Sequence, residues 1–398
     1  MRAPLKKIRP QSFCRRAALL AGYCLLLSPI LHAQPNPQTH GAPRFEYQPE
    51  IFSFTQGVSF LSWELKSGGQ TQQIHQAYLP TALSFPVFAH TNFTLGTAGS
   101  FAREGAAPAR EFNGLSDVRI RLSRSFGAAK WFVGAGVNLP TGKNKLNAEE
   151  NAVVNVLNEN VLGFPLQRYG AGLDLELSLA RTFNLSDQLG MGWGATLVLP
   201  GQFEFREESA TTYQPGARCV ATMILNRINP VLAWRMSLLG QYFAYDRLAG
   251  EKFFQQGWQF EPGASLDWEF TPEWRMQLAV THIWKDDNKF VATNAALLPA
   301  EHYYLDNSTY AKLALQRSFK SRTQAGAYLH ANHFGKSSVQ QLSRASVVRA
   351  GAQMLVKLSE HAMIGASADY ATGSAQNTQG GDIDLRGYGL GLWLKTQL

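Results

Sequence analysis

Between Trp258 and Trp284 the side chains alternate with a period of two, and few architectures accept such a pattern over this length. Trp258, Phe260, Pro262, Ala264, Leu266, Trp268 and Phe270 form one set, and Gln259, Glu261, Gly263, Ser265, Asp267 and Glu269 form the other. After Thr271-Pro272 the alternation resumes, with Trp274, Met276, Leu278 and Val280 set against Arg275, Gln277, Ala279 and Thr281, and Trp284 closes the run. A period of two is that of an extended strand with one apolar and one polar face. Each of the two strands carries a pair of tryptophans ten residues apart on its apolar face. Ten residues at ~3.3 Å rise, tilted by ~40°, span roughly 25 Å, the height of the apolar band of an outer-membrane barrel. The spacing therefore predicts that Trp258, Trp268, Trp274 and Trp284 stand at the two lipid–water boundaries.

The N-terminus reads as an export signal. Arg2, Lys6, Lys7, Arg9, Arg15 and Arg16 precede an apolar stretch from Ala17 to Leu31, too short to span a bilayer comfortably, and Ala33 offers a small residue before a cut. Residues 1–33 are thus expected to be a cleaved signal peptide. These six residues belong to the 37 Lys and Arg of the whole chain, which leaves 31 basic against 29 acidic residues after the cut. The formal charge of +8 therefore carries no implication of a nucleic-acid partner. Cys14 and Cys24 leave with the signal, and Cys219 remains as a single cysteine, so no internal disulfide is available. No stretch beyond the signal reaches the ~18 consecutive apolar residues of a membrane helix. Amphipathic strands can still cross a bilayer if the sheet closes and every backbone N–H and C=O finds a partner.

Residues 34–50, rich in Pro, Gln and Asn, form a lead-in, and 51–398 form the barrel. Period-two runs place strands near 51–65, 72–84, 91–101, 115–126, 130–140, 168–182, 189–205, 217–228, 231–245, 257–270, 273–284, 307–319, 323–333, 345–358, 361–371 and 384–397. That makes about 16 strands. Pro80 and Pro86 interrupt the early alternation, and 14 strands is the alternative count. Short connections such as Asn229-Pro230 and Thr271-Pro272 alternate with long ones such as 102–114, 141–167 and 285–306. The expected fold is all-β: a closed antiparallel transmembrane β-barrel with short periplasmic turns and long outer loops. The 141–167 connection contains a candidate helix around Glu149–Leu157, and folding over the pore, folding into it, or forming a plain surface loop all remain open.

On the polar faces, Asp117, Arg119 and Arg121 alternate with Val118, Ile120 and Leu122; Asp174 and Glu176 alternate with Leu173, Leu175 and Leu177; and Glu261, Asp267, Glu269 and Arg275 line the tryptophan hairpin. These nine are the lumen-lining candidates. They read either as paired wall networks that keep the interior wet, or as charged rings along a permeation path. Both signs occur, so no strong ion preference is predicted. Gly134, Gly136, Gly190, Gly192 and Gly194 occupy the same face and leave room there, or serve strand curvature. Catalytic motifs are lacking. His330 and His333 fall on opposite faces of a continuous strand, Gly142-Lys143 lacks the remainder of a phosphate loop, and no serine is assignable to His282. No catalytic, metal or cofactor site is predicted.

The stretch Gly114-Leu115-Ser116-Asp117-Val118-Arg119-Ile120-Arg121-Leu122, followed by Val133-Gly134-Ala135-Gly136-Val137-Asn138-Leu139-Pro140-Thr141-Gly142-Lys143, resembles the signature of the meta-pathway phenol-degradation outer-membrane family. The resemblance covers about thirty residues. It implies a barrel of a class linked to transport of hydrophobic or aromatic compounds. The combined expectation is a non-enzymatic outer-membrane channel for passive uptake of small molecules, hydrophobic or aromatic ones among them, with the lipid bilayer and the solute as its partners. The alternatives are a surface-interaction barrel with a plugged lumen and a membrane-embedded lipid hydrolase.

Overall fold

The computed structural model describes residues 51–397 apart from 106–108, 128–129, 144, 166–171, 205–210, 292–306, 320–321, 336–341 and 378–379. The expected signal peptide and lead-in lie outside the described residues. In chain order the first strands are β1 (Ser53–Ser67), β2 (Gln70–Phe88), β3 (Thr91–Glu104), β4 (Arg110–Leu115), β5 (Val118–Phe126) and β6 (Trp131–Leu139). One helix, α1 (Ala148–Leu157), follows. Then come β7 (Asp174–Asn184), β8 (Leu189–Leu199), β9 (Phe203–Glu204), β10 (Thr212–Gln214), β11 (Arg218–Arg227) and β12 (Leu232–Phe243). The remainder is β13 (Asp246–Leu248), β14 (Glu251–Gln255), β15 (Gln259–Thr271), β16 (Trp274–Lys285), β17 (Lys289–Phe290), β18 (Ser308–Phe319), β19 (Thr323–Phe334), β20 (Ser343–Lys357), β21 (Ala362–Gln376) and β22 (Asp382–Gln397).

Seventeen of these strands form one antiparallel sheet. β4 and β5 are two halves of a single stave, because both pair with β3 and only Ser116 and Asp117 separate them. The wall therefore has the 16 staves that the periodicity predicts. It is closed: β1 pairs with β2 on one side and with β22 on the other, from Ser53↔Gln397 to Lys66↔Asp384. Closure removes the sheet edges that would otherwise leave backbone groups unpaired in lipid. The short connections, such as 185–188, 228–231 and 272–273, gather at the end where Ser53 meets Gln397, here the lower end. The upper end carries the long connections, except for the tight turn at Gly68 and Gly69, whose φ values of +56° and +82° suit a two-residue hairpin. Above the wall, β9, β10, β13, β14 and β17 form a small second sheet over its own core of Phe203, Tyr213, Phe253 and Phe254.

Pro80 and Pro86 do not end β2. Pro80 lacks an N–H, and the ladder to β1 is interrupted between Gln56↔Thr81 and Ser59↔Tyr78, with Gly57 close against the Pro80 ring. Pro86 is followed by a register shift at the lower end of the β2–β3 pair.

The outer face is apolar and bare. Leu175, Leu177 and Leu179 on β7, Leu313 and Leu315 on β18, and Leu390, Leu392 and Leu394 on β22 are 38–55 % exposed. In water such a continuous apolar surface would drive association; against acyl chains it is the matched face. The main buried apolar cluster lies instead inside the cylinder, between α1 with its flanking residues and the inner faces of β1–β4 and β19–β22.

Candidate functional site

The connection from β6 to β7 runs into the cylinder and occupies part of its upper half. Asn147 caps α1: its side chain accepts from the Glu150 N–H at 2.9 Å, while the Glu150 carboxylate accepts from the Asn147 N–H at 3.3 Å. This reciprocal box satisfies two helix-terminal donors. Lys143 pairs with the same Glu150 carboxylate. Val153, Val154, Val156 and Leu157 from α1, then Val161, Leu162 and Phe164, are buried against Leu61, Trp63 and Leu65 of β1, Ile74 of β2 and Phe112 of β4. The Trp63 indole N–H donates to the Leu162 carbonyl at 2.8 Å, and the Leu342 N–H donates to Glu159 Oε2 at 3.3 Å. The helix expected near Glu149–Leu157 is thus present, and of the placements left open for 141–167 the interior one is observed for 146–164.

Register fixes where each predicted site residue points, because directly paired residues share a face. Arg119 and Arg121 on β5 pair with Asn138 and Gly136 on β6, and these pair with Asp174 and Glu176 on β7. All four charged residues therefore stand on the interior face. Arg121 Nη2 lies 2.8 Å from Glu176 Oε2, reaching across Gly136. A Cβ at Gly136 would sit 3.2 Å from Arg121 Cγ and 3.4 Å from Glu176 Cβ, so the bare strand makes room for this bridge. Arg119 Nε donates to Asn138 Oδ1 at 3.1 Å, and Asn138 Nδ2 donates to Asp174 Oδ2 at 3.0 Å. Asp117 sits at the break between β4 and β5, where its Oδ1 accepts from the Gly142 N–H at 3.1 Å and ties down the start of the inserted segment.

The tryptophan hairpin behaves likewise. Glu261, Asp267 and Glu269 share the face of Gly263 and Ser265; Asp267 pairs with Arg275 and accepts from Gln277 Nε2 at 3.1 Å, and Glu269 stands directly opposite Arg275. Trp268 and Trp284 are exposed on the other face and Trp274 is half-buried there, stacked near Phe270. Trp258 precedes β15 and meets Tyr242 edge-on at 5.4 Å.

A second interior network was not predicted. On the wall that faces the inserted segment, the Arg349 guanidinium lies 5.8 Å from the Trp63 ring and 3.3 Å from Asp369, which also accepts from Tyr328 OH at 3.0 Å. Arg349 and Asp369 are both buried, with side-chain exposures of 8 % and 4 %. His330 stacks on Tyr328 at 4.8 Å. The strand continues through His330 and His333, so they point to opposite faces, and His333 meets Ser346 Oγ outside at 2.9 Å. His282, also outside, contacts Thr309 Oγ1 at 2.8 Å. The sequence signal for this network was a change of phase within β1. Phe54, Val58 and Phe60 are the apolar residues of its lower half, whereas Leu61, Trp63 and Leu65, on the opposite face, are those of the upper half. A strand whose apolar face changes sides midway has lipid on one side and an internal partner on the other.

Directly beneath the inserted segment, touching its Gly163 and Pro165, lies a cavity of about 440 Å³. It is bounded by β1, β2 and β18–β22, with Tyr78, Trp393 and Leu61 among its apolar lining and Gln353, His330 and Lys395 among its polar lining.

No protein-family model matches the chain, and no curated protein does. Solved structures that it is similar to include the CymD monoaromatic hydrocarbon channel, with a TM-score of 0.45 at 11 % identity over 88 % of this chain and 89 % of that one. OprB of Pseudomonas putida gives a TM-score of 0.46 at 10 % identity over 87 % and 94 % of the two chains. The outer-membrane channel DcaP of Acinetobacter baumannii gives 0.41 at 10 % identity over 89 % and 99 %.

Proposed function

We propose that the protein is an outer-membrane channel for passive passage of small molecules, with its flow restricted by the segment 146–164. The observation that carries this reading is the seating of that segment inside a closed cylinder whose outer face is apolar. It rests on β1–β4 and β19–β22, while the opposite interior wall carries Gly190, Gly192 and Gly194 facing Asn226, Ile224 and Thr222. Small residues on that side leave space for a path past the segment. The ionic wall of Arg119, Arg121, Asp174 and Glu176, continued by Asp267, Glu269 and Arg275, keeps such a path wet. Glu261 and Asp117 extend it upward. Trp258, Trp268, Trp274 and Trp284 fit the headgroup boundaries. In this reading residues 1–33 direct export and are removed, the short turns face the periplasm, and no chemical step takes place.

The resemblance of residues 114–143 to the phenol-degradation family favours hydrophobic or aromatic solutes. The alternative of a plugged surface-interaction barrel is favoured by one observation, the depth of apolar burial around Val153, Val154 and Leu157. Planar-bilayer recordings of the purified protein separate the two. Discrete conductance steps support the channel, and a silent protein with intact barrel structure supports the plug.

A further inference from the structure

Two places at the lower end of the outer face are built alike and differ in one charge. Arg181 on β7 is paired directly with Trp131 on β6, and Arg317 on β18 is paired directly with Trp274 on β16. Each arginine continues a row of exposed outer leucines, Leu175, Leu177 and Leu179 in one case and Leu313 and Leu315 in the other, so both stand on the lipid side. Each guanidinium lies over the paired indole and over a phenylalanine two positions further on. Arg181 is 4.6 Å from the Trp131 ring and 4.5 Å from that of Phe183, and Arg317 is 5.4 Å from Trp274 and 4.9 Å from Phe319. The turns match as well: the Thr182 N–H donates to the Lys130 carbonyl at 2.8 Å, and the Ser318 N–H donates to the Glu273 carbonyl at 2.7 Å. The residue before the tryptophan is therefore Glu273 in one place and Lys130 in the other. Glu273 Oε2 lies 3.4 Å from Arg317 Nη2 and balances its charge. Lys130 adds a second positive charge instead. Among the described residues neither Arg181 nor Lys130 has an acidic partner. Arg124, exposed on the same face of β5, is positive too, and the next acid along the chain, Asp187, stands six positions beyond Arg181 in the following turn.

We propose that Arg181 and Lys130 bind an anionic phospholipid, whose phosphate takes the place that the Glu273 carboxylate holds beside Arg317. The two cations are on adjacent strands one position out of register, so their Cα atoms are roughly 6 Å apart and one phosphate reaches both side chains. A guanidinium stacked on aromatic rings keeps its N–H donors in its own plane, where they meet phosphate oxygens in charge-assisted hydrogen bonds. Above the two cations the wall presents Leu179 and Val133, 38 % and 44 % exposed, as a surface for the acyl chains. A water-soluble anion lacks that contact, and a zwitterionic headgroup brings a further positive charge to a patch that is already positive. The site requires only that the outer face meets lipid, so it does not depend on whether the lumen conducts.

The test uses the whole delipidated barrel in detergent, titrated with phosphatidylglycerol or phosphatidylcholine of identical acyl chains and read by native mass spectrometry. A basic side chain near a membrane surface contributes about a fivefold gain in affinity for an anionic headgroup. The tightest phosphatidylglycerol is therefore expected to bind at least roughly tenfold better than phosphatidylcholine. Lys130→Glu recreates the ion pair of the second place and should remove most of that preference. Glu273→Lys does the reverse and should add one tightly bound phosphatidylglycerol to the native number. Both positions are exposed turn residues, and the heat-resistant compact band on electrophoresis shows that each variant is folded. Equal binding of the two lipids, or folded variants that both bind phosphatidylglycerol as the native protein does, would overturn the proposal. So would displacement of the lipid by inorganic phosphate at the same concentration, which would mean that the patch takes a free anion and not a lipid.

Discussion

The indole N–H of Trp63 on β1 donates to the carbonyl of Leu162 in the inserted segment at 2.8 Å, across 99 residues of sequence. Trp63 is 1 % exposed and Arg349 lies over its ring, so one side chain links the barrel wall, the interior ion pair and the segment that narrows the lumen. Replacing it conservatively separates these roles. Trp63→Phe keeps an aromatic ring but leaves the Leu162 carbonyl without its donor, which costs about 1–3 kcal/mol of docking for the inserted segment. Hydrogen exchange should show faster exchange across 148–164, with the amides of β7 and β22 unchanged.

Val154 is fully buried in the interior cluster. Val154→Asp would place a carboxylate in this apolar cluster, an arrangement that the segment escapes by leaving the lumen. Limited proteolysis is expected to cut this variant within 146–164 while the strands stay protected. Resistance equal to that of the native protein would show that the segment does not depend on its apolar contacts.

The two faces of one strand should respond oppositely to a charge. Leu278 is 39 % exposed on the lipid-facing side of β16, and its neighbour Gln277 faces inward beside Asp267. Leu278→Arg is expected to destabilise the folded barrel by about 2–4 kcal/mol if it lies near the bilayer midplane. Gln277→Arg gains a partner in Asp267 and should change stability by less than about 1 kcal/mol. Urea unfolding in lipid vesicles measures both.

Trp393 and Gly365 form a coupled pair, since a Cβ at Gly365 would overlap the indole. Gly365→Ala should therefore cost about 1–3 kcal/mol through forced displacement of the ring. In the Trp393→Ala background the same change should cost much less, giving a coupling energy of about 0.5–3 kcal/mol in a double-mutant cycle. A strictly additive cycle would mean that the ring does not rest on this glycine.

How much of this was legible in the sequence depends on whether a residue answers to lipid or to another part of the chain. Lipid asks only that alternate residues be apolar, and the sets Trp268–Phe270, Leu175–Leu179 and Leu390–Leu394 satisfy that locally. Strand number and facing could therefore be read directly, and so could the interior position of Arg121, Glu176 and Asp267. The breaks were harder. The division of the fourth stave at Ser116 and Asp117 depends on the contact between Asp117 and Gly142, which no local pattern encodes. β2 continues through Pro80 because Gly57 of β1 stands at the interruption. The interior seat of α1 was not readable from its own residues, since Val153, Val154, Val156 and Leu157 would be equally apolar beneath a surface loop. Its receptor was partly readable, in the apolar residues Leu61, Trp63 and Leu65 on the face that a water-filled barrel would keep polar. The pairing of Arg349 with Asp369 needed the register of β20 against β21.

The most direct test removes the inserted segment. Asn138 and Asp174, on either side of the 140–173 connection, are paired neighbours on β6 and β7, so a short Gly-Ser turn can replace residues 146–164 and shorten the connection without straining the wall. Single-channel conductance of native and shortened proteins should then be compared in planar bilayers at one salt concentration. The account predicts small or flickering steps for the native protein and larger, steadier steps for the shortened one. Absence of conductance from both, with the barrel still folded, would contradict it.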